Sequence, residues 1–322
     1  MLTDLWPIIA SVLGVFLVIG IGAMCRQLGV LNSEADVSLA KLTAKVLLPS
    51  LFADRILHGE QMQQFSTLWF PPVFGFSFTA VSFLIVWALA KRFGRYVGLD
   101  TDAKQRTFAL CAGICNYGYI PLPLAVRFYP DAVVELILHN VGVDMALWSV
   151  GIAVIGGATS WQRAVLTPPV IAVVTTSLIR WCGVDQMIPA SFHSAISMLG
   201  ACSIPMGLML SGAIIVDYLR ETHWKDSGLV VAAAIGIRQI LLPVLMLGVA
   251  TLLGMCSPLM TPDLKLVVML EAAMPAAVFP IVIVRLYERD TSTALRVVLS
   301  TSMAGILLVP LWLGIAKWFL GL

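Results

Sequence analysis

Three ionisable residues stand deep inside long apolar stretches of this chain: Asp144, Arg238 and Glu271. A charge at mid-bilayer costs about 2.5–3.5 kcal/mol on insertion scales, so such groups turn toward protein or water. Counting about 1.5 Å per residue, Arg238 lies roughly 15 Å and Asp144 roughly 18 Å from one end of its stretch, close to mid-membrane. The guanidinium of Arg238 matches carboxylate geometry, which makes it a candidate counter-charge for an anionic substrate. The alternative is a structural Arg238–Asp144 ion pair. Asp144 and Glu271 are candidates for carrying a coupling proton or ligating a sodium ion, the only cofactor-like species expected. Glu271 lies nearer the interface, where plain solvation serves equally well. His139 and Asn140 accompany Asp144, and a lone histidine there reads as hydrogen-bonded structure. Cys111 and Cys115 share a helix face, but the sequence puts no His or carboxylate beside them, so no metal site is expected.

Two segments near these charges cannot be regular helix. One reads Cys115-Asn116-Tyr117-Gly118-Tyr119-Ile120-Pro121-Leu122-Pro123-Leu124, the other Met274-Pro275-Ala276-Ala277-Val278-Phe279-Pro280. Proline lacks the N–H and clashes with the carbonyl four residues back. Backbone groups freed in lipid must be met by protein, water or a bound ion. A half-helix start favours an anion and a half-helix end a cation. Paired interruptions at matching places of two halves point to a substrate site. Tyr117 and Tyr119 flank the first break and are candidates to line a cavity.

The elements that must hold these groups follow from composition. The chain has 322 residues, of which 59 % are hydrophobic and 12 % charged. Soluble domains carry about 25 % charged residues, so a cytosolic enzyme, a disordered chain and a disulfide scaffold are excluded. Ten stretches are long enough to cross a bilayer: 8–26, 37–57, 69–91, 106–128, 132–156, 163–181, 192–216, 228–254, 265–286 and 293–319. The second is the weakest, opening on Lys41 and Lys45. The continuous runs exclude a β-barrel. The first reads as a retained helix, since Met1–Pro7 carries no positive charge. Lys and Arg fall mostly after odd-numbered stretches, fourteen against five, with Arg238 inside a span. The positive-inside rule then expects both termini outside the cytoplasm of a cell membrane.

The halves echo one another. Arg26-Gln27-Leu28-Gly29-Val30 resembles Arg180-Trp181-Cys182-Gly183-Val184, Leu48-Pro49 resembles Ile204-Pro205, and Pro123 pairs with Pro280. The offset is nearly constant at half the chain. Each half, 1–158 and 159–322, then holds five spans. An odd number inserts the second half upside down, a plan frequent among secondary transporters. The expected fold is therefore an all-α membrane protein of ten transmembrane helices in two inverted five-helix repeats, with spans 4 and 9 broken.

The segment Asn116-Tyr117-Gly118-Tyr119-Ile120-Pro121-Leu122-Pro123 resembles the signature of the auxin efflux carrier family, which includes plant PIN carriers and malonate-type permeases. Further matches are Ala273-Met274-Pro275 to Pro280, Leu199-Gly200 with Pro205, and Leu299-Ser300-Thr301 with Pro310-Leu311. Pro121 stands where the family usually has Gly, and Ala276 where plant members carry Gln. The repeat offset makes Ala273 the counterpart of Asn116. The resemblance implies a scaffold of spans 1, 2, 6 and 7, often a homodimer face, and a transport domain of spans 3–5 and 8–10. It also implies that spans 4 and 9 cross near Pro123 and Pro280. With the breaks and the buried charge, it selects Asn116, Tyr117, Tyr119, Pro123, Pro275, Ala276, Pro280 and Arg238 as substrate-binding candidates.

The expected function is secondary transport of a small organic anion, auxin-like or dicarboxylate, ion-coupled or uniport, by an elevator-type mechanism. Neither a Walker sequence nor a nucleic-acid-binding feature is present, so the expected partners are the solute, the bilayer and a second copy. An intramembrane enzyme would need a catalytic set such as Ser with His or paired aspartates. Asp144 is the single mid-span acid, with no GxSG or HExxH pattern. Short loops without an output domain disfavour a sensor.

Overall fold

Lipid offers no partner to a backbone N–H or C=O, so an apolar chain of this kind satisfies its main chain within helices. The computed structural model describes residues 2–58, 68–157, 166–221 and 228–320. In chain order the α-helices are α1 (Leu2–Gln27), α2 (Ser33–Leu42), α3 (Leu48–His58), α4 (Phe70–Phe93), α5 (Asp102–Gly113), α6 (Pro121–Phe128), α7 (Val133–Ala146) and α8 (Ile152–Ile155). They continue with α9 (Pro168–Trp181), α10 (Ala190–Glu221), α11 (Gly228–Gly236), α12 (Leu242–Cys256), α13 (Pro262–Ala273), α14 (Phe279–Leu286) and α15 (Thr291–Leu320). Three five-residue π-helical segments join α2 to α3 (Thr43–Leu47), α7 to α8 (Leu147–Gly151) and α11 to α12 (Ile237–Leu241).

Each sequence-derived stretch falls on one or more of these helices, but they are not alike. Among the described residues, five meet the length and hydropathy of a membrane crossing: Phe70–Val97, Pro130–Ile155, Ala190–Asp217, Gly228–Cys256 and Thr291–Leu320. The stretches 106–128 and 265–286 are each split in two. Residues 163–165 of the sixth stretch, the boundary at 158/159, and Arg163 and Lys225 of the charge count lie outside the described residues.

Side-chain caps set several helix starts. Asn32 accepts from the Ala35 N–H at 2.8 Å, Thr101 from Lys104 at 3.3 Å and Thr261 from Leu264 at 3.0 Å. Each satisfies one of the orphan donors of a first turn. At the far end of α1, Arg26 pairs with Asp36 of α2 and, at 3.0 Å, with Asp217 of α10.

The helices pack in two groups. In one, α1 lies on α10, and α3 on α9 and α10. A Cβ on Gly22 would stand 2.0 Å from the Met209 carbonyl oxygen, and one on Gly212 1.8 Å from that of Ile19. Only glycine permits this approach of α1 to α10, the usual device of closely packed membrane helices. In the other group, α4 packs on α5 and α7, and α15 on α5, α11 and α13. The interior divides into two apolar cores. Phe108–Ala112 of α5 and Ile281, Ile283 and Val284 of α14 contribute to one. Leu122, Leu124 and Ala125 of α6 and Leu264, Val267–Leu270, Ala272 and Ala273 of α13 contribute to the other. Each broken stretch therefore passes from one core into the other, in opposite senses.

Candidate functional site

The exchange of cores happens at an antiparallel bridge. α5 ends at Gly113, and Ile114 is extended (φ −118°, ψ 135°). α13 ends at Ala273, and Met274 is extended (φ −75°, ψ 143°). The following Pro275 disfavours helical geometry at Met274, which accounts for that stop. Cys115 pairs with Ala276 across the bridge. The Asn116 N–H donates to the Pro275 carbonyl at 2.7 Å, and the Ala277 N–H to that of Ile114 at 3.3 Å. Part of what the breaks release is thus recovered between them.

The crossing therefore lies at Cys115 and Ala276, not at Pro123 and Pro280. Those prolines are the third residue of α6 and the second of α14. The first turn of a helix has no intrahelical acceptor for its N–H groups, so proline is tolerated there without loss. The prolines begin the second half-helices. Both first halves are 12 residues long and both second halves 8. Counted from the helix ends, Asn116 and Ala276 occupy the same position, three residues on. The repeat offset had matched Asn116 with Ala273, which is the last residue of α13. Pro205 and Pro310 lie inside continuous helices and break nothing.

Polar side chains hold the first break open. The Asn116 Oδ1 accepts from the Tyr119 N–H at 3.1 Å, closing a local turn. Asn140 of α7 donates its amide to the Tyr117 carbonyl at 2.6 Å. The Tyr117 hydroxyl donates to Asp144 Oδ1 at 2.6 Å. Asp144 is thus fixed by the break itself, and no salt bridge joins it to Arg238 among the described residues. His139 is buried, its Nδ1 3.5 Å from Asn140 Oδ1.

The second break is held from behind. The Ala276 N–H donates to Thr301 Oγ1 at 3.2 Å, and Thr301 Oγ1 donates to the Val297 carbonyl at 2.8 Å. Gln239 donates to the Thr301 carbonyl at 3.0 Å and receives Trp312 Nε1 on its own carbonyl at 2.6 Å. Beside it, Arg238 is 2 % exposed and Glu271 0 %. Glu271 is therefore not solvated, as its place in the sequence allowed. It accepts the Cys115 thiol at 2.9 Å through Oε2, while its Oε1 has no partner. A carboxylate beside Cys115 is not foreseen from residue spacing, since the two lie 156 positions apart. Arg238 lies within electrostatic reach of Cys115 and Glu271, and its Nε likewise has no hydrogen-bond partner.

Two cavities flank the crossing. One of about 260 Å³ is lined by Asn116, Tyr117, Tyr119, Asn140, Asp144, Trp148 and Phe279, and opposite them by Lys45, Leu48 and Phe52. The other, about 140 Å³, lies between Phe16, Leu208 and Ser211 on one wall and Leu299, Ser302 and Met303 on the other. Asn116, Tyr119 and Val278 border both. Pro123, Pro275, Ala276, Pro280, Arg238 and Glu271 border neither. Pro275 and Ala276 act through their backbone, and Arg238 and Glu271 stand behind the crossing. Among the described residues Lys45 is the one lysine or arginine on the walls of these two cavities, and the sequence reading treats it only as a mark of a weak span. A cation within an apolar run was the available signal. It sits in a π-helical segment, as do Trp148 and Arg238, a feature frequent at functional sites. Asn140, Gln239 and Thr301 are further supports that carry no distinctive sequence signal.

A family model described as membrane transport protein matches residues 7–160 and 156–313. A protein of Methanothermobacter thermautotrophicus described as an uncharacterized transporter is 22 % identical over 308 residues, covering 94 % of this chain and 96 % of that protein.

Proposed function

The chain belongs to the membrane transport protein family, that of the auxin efflux carriers, and on that premise we propose that it is a secondary transporter of a small organic anion. The observation that carries this reading is the hydrogen-bonded crossing of two broken helices, with a cavity on either side and Lys45 and Asp144 lining one of them. Asn116, Tyr117 and Tyr119 contact the solute, with an auxin-like acid or a dicarboxylate as the substrate class. Lys45 supplies the counter-charge to a carboxylate. That role passes from Arg238, which borders neither cavity. Asp144 is the coupling candidate inside the cavity and Glu271 the one behind the crossing, for a proton or a sodium ion, with uncoupled uniport the remaining mode.

In this reading the chain crosses the cell membrane ten times in two inverted halves, 1–158 and 159–322, and the lysine and arginine bias supports termini on the non-cytoplasmic side. The helix group containing α1, α3, α9 and α10 serves as scaffold and homodimer face. The group containing α4–α8 and α11–α15 moves against it as an elevator. Tyr119 marks that boundary: a Cβ on Gly207 of α10 would stand 2.0 Å from its ring.

Proteoliposome uptake of labelled malonate, other dicarboxylates and indole-acetate, with and without sodium or proton gradients, tests this reading. Saturable uptake of one anion class is the expected result. Leakage equal to protein-free liposomes for every anion under every gradient would overturn it.

A further inference from the structure

A further cavity, about 570 Å³, lies away from the crossing. It opens between the end of α3, the first turns of α10 and the start of α7, and it holds two histidines, His58 and His193. Their ring centroids are 5.1 Å apart. The Nδ1 of His58 lies 2.9 Å from the Asp54 carbonyl oxygen and 3.3 Å from Asp54 Oδ1. Both of those atoms are acceptors, so Nδ1 carries the proton of the neutral ring and the lone pair is on Nε2. A carboxylate behind an imidazole is the usual support of a metal-ligating histidine. The Nδ1 of His193 is buried without a hydrogen-bond partner.

We propose that this cavity binds a divalent transition-metal ion, with zinc as the reference ion, through one nitrogen from each of His58 and His193. Two imidazoles on one tetrahedral zinc, at Zn–N of about 2.0–2.1 Å, place their ring centroids about 5 Å apart. The two rings already stand at that separation. No three of His, Cys, Asp and Glu converge among the described residues, so water takes the remaining positions. Asp54 and Asp131 outnumber Arg55 on the cavity wall, which leaves the local charge favourable to a cation. The ion ties the end of α3 to the start of α10 and occupies the gap facing α7. Nothing in this site depends on the transport reading.

The test is zinc titration by calorimetry of the purified, tag-free chain. Its thiols are blocked first, because Cys182, Cys202 and Cys256 are exposed. One zinc per chain is expected in wild type, with affinity at least tenfold weaker in His58→Gln and in His193→Gln. Asp54→Asn is expected to weaken it about tenfold, the usual cost of losing such a support. Zinc should also protect His58 and His193 of wild type from diethylpyrocarbonate, read by mass spectrometry, which requires no variant to fold. No zinc binding by the blocked wild type, equal binding by both histidine variants, or modification unaffected by zinc would overturn the proposal.

Discussion

The main chain of Asn116 is bonded to that of Pro275 at 2.7 Å. One residue comes from the break after α5, the other from the break after α13, so each interruption supplies part of what the other lacks. In lipid an unsatisfied N–H or C=O costs several kcal/mol. Neither segment could unwind alone at that cost. The crossing is a joint structure, and changes in one strand should be felt in the other.

Asn116→Ala removes the side-chain acceptor of Tyr119 and an amide from both cavities. Uptake per folded protein is expected to fall about tenfold or more, the scale of a lost hydrogen bond to a charged group. Leu110→Ala, at a 0 % exposed core position, should do the reverse. Large-to-small core changes cost about 2–5 kcal/mol, so its Tm drops while uptake per folded molecule is largely kept. Thermal unfolding and uptake measured on the same preparations separate the two.

Much of this was legible in the chain. The runs of apolar residues fixed the helices, and Asn, Gly and Pro at 116–123 with Pro at 275 and 280 located both breaks. The crossing point was not legible, because Cys115 and Ala276 meet through backbone bonds that side-chain identity does not record. Proline misled there: it forbids a helix interior, yet it is at home in a first turn, where Pro121 and Pro280 are found. Counting rise per residue put Arg238 and Asp144 at a common depth. Depth says nothing of which way a helix face turns, and the two face different partners.

Arg238 and Glu271 are buried together behind the crossing. Removing the guanidinium leaves the buried Glu271 carboxyl without the cation beside it. Arg238→Gln should therefore lower Tm and yield sharply. Adding Glu271→Gln should restore much of the loss, and adding Asp144→Asn should not. Size-exclusion profiles and thermal unfolding of the three proteins check this.

Gly207→Ala and Gly212→Ala place the same methyl group in two settings. At Gly212 it meets the Ile19 carbonyl oxygen at 1.8 Å, inside one helix group, and at Gly207 the Tyr119 ring at 2.0 Å, across the two groups. Gly212→Ala should lower Tm. Gly207→Ala should lower uptake with a smaller change in Tm, because the ring can shift but its passage along α10 is obstructed.

Outside the spans, hydrogen bonds from Lys91 and then Arg106 hold the Asp102 carboxyl below the usual carboxylate range. A carboxyl whose pKa is depressed on folding contributes stability above its unfolded value, near 4, and loses it as pH falls through the folded value. Asp102 is half exposed, so the contribution is under about 1 kcal/mol. Asp102→Asn should lower Tm slightly at pH 7, and the difference from wild type should shrink as pH falls from the unfolded value through the lower folded one. A Tm series from about pH 2 to 7 on both proteins measures it.

The most direct test of the crossing as a transport site is the initial uptake rate of the best-carried anion into proteoliposomes bearing wild type or Lys45→Gln, normalised to folded protein. Lys45 borders the larger of the two cavities at the crossing. Its loss should leave the fold intact while removing the counter-charge. The expected result is saturable uptake by wild type and a rate about tenfold lower or less in Lys45→Gln, with unchanged Tm. Equal rates for the two proteins would contradict the placement of the solute in this cavity.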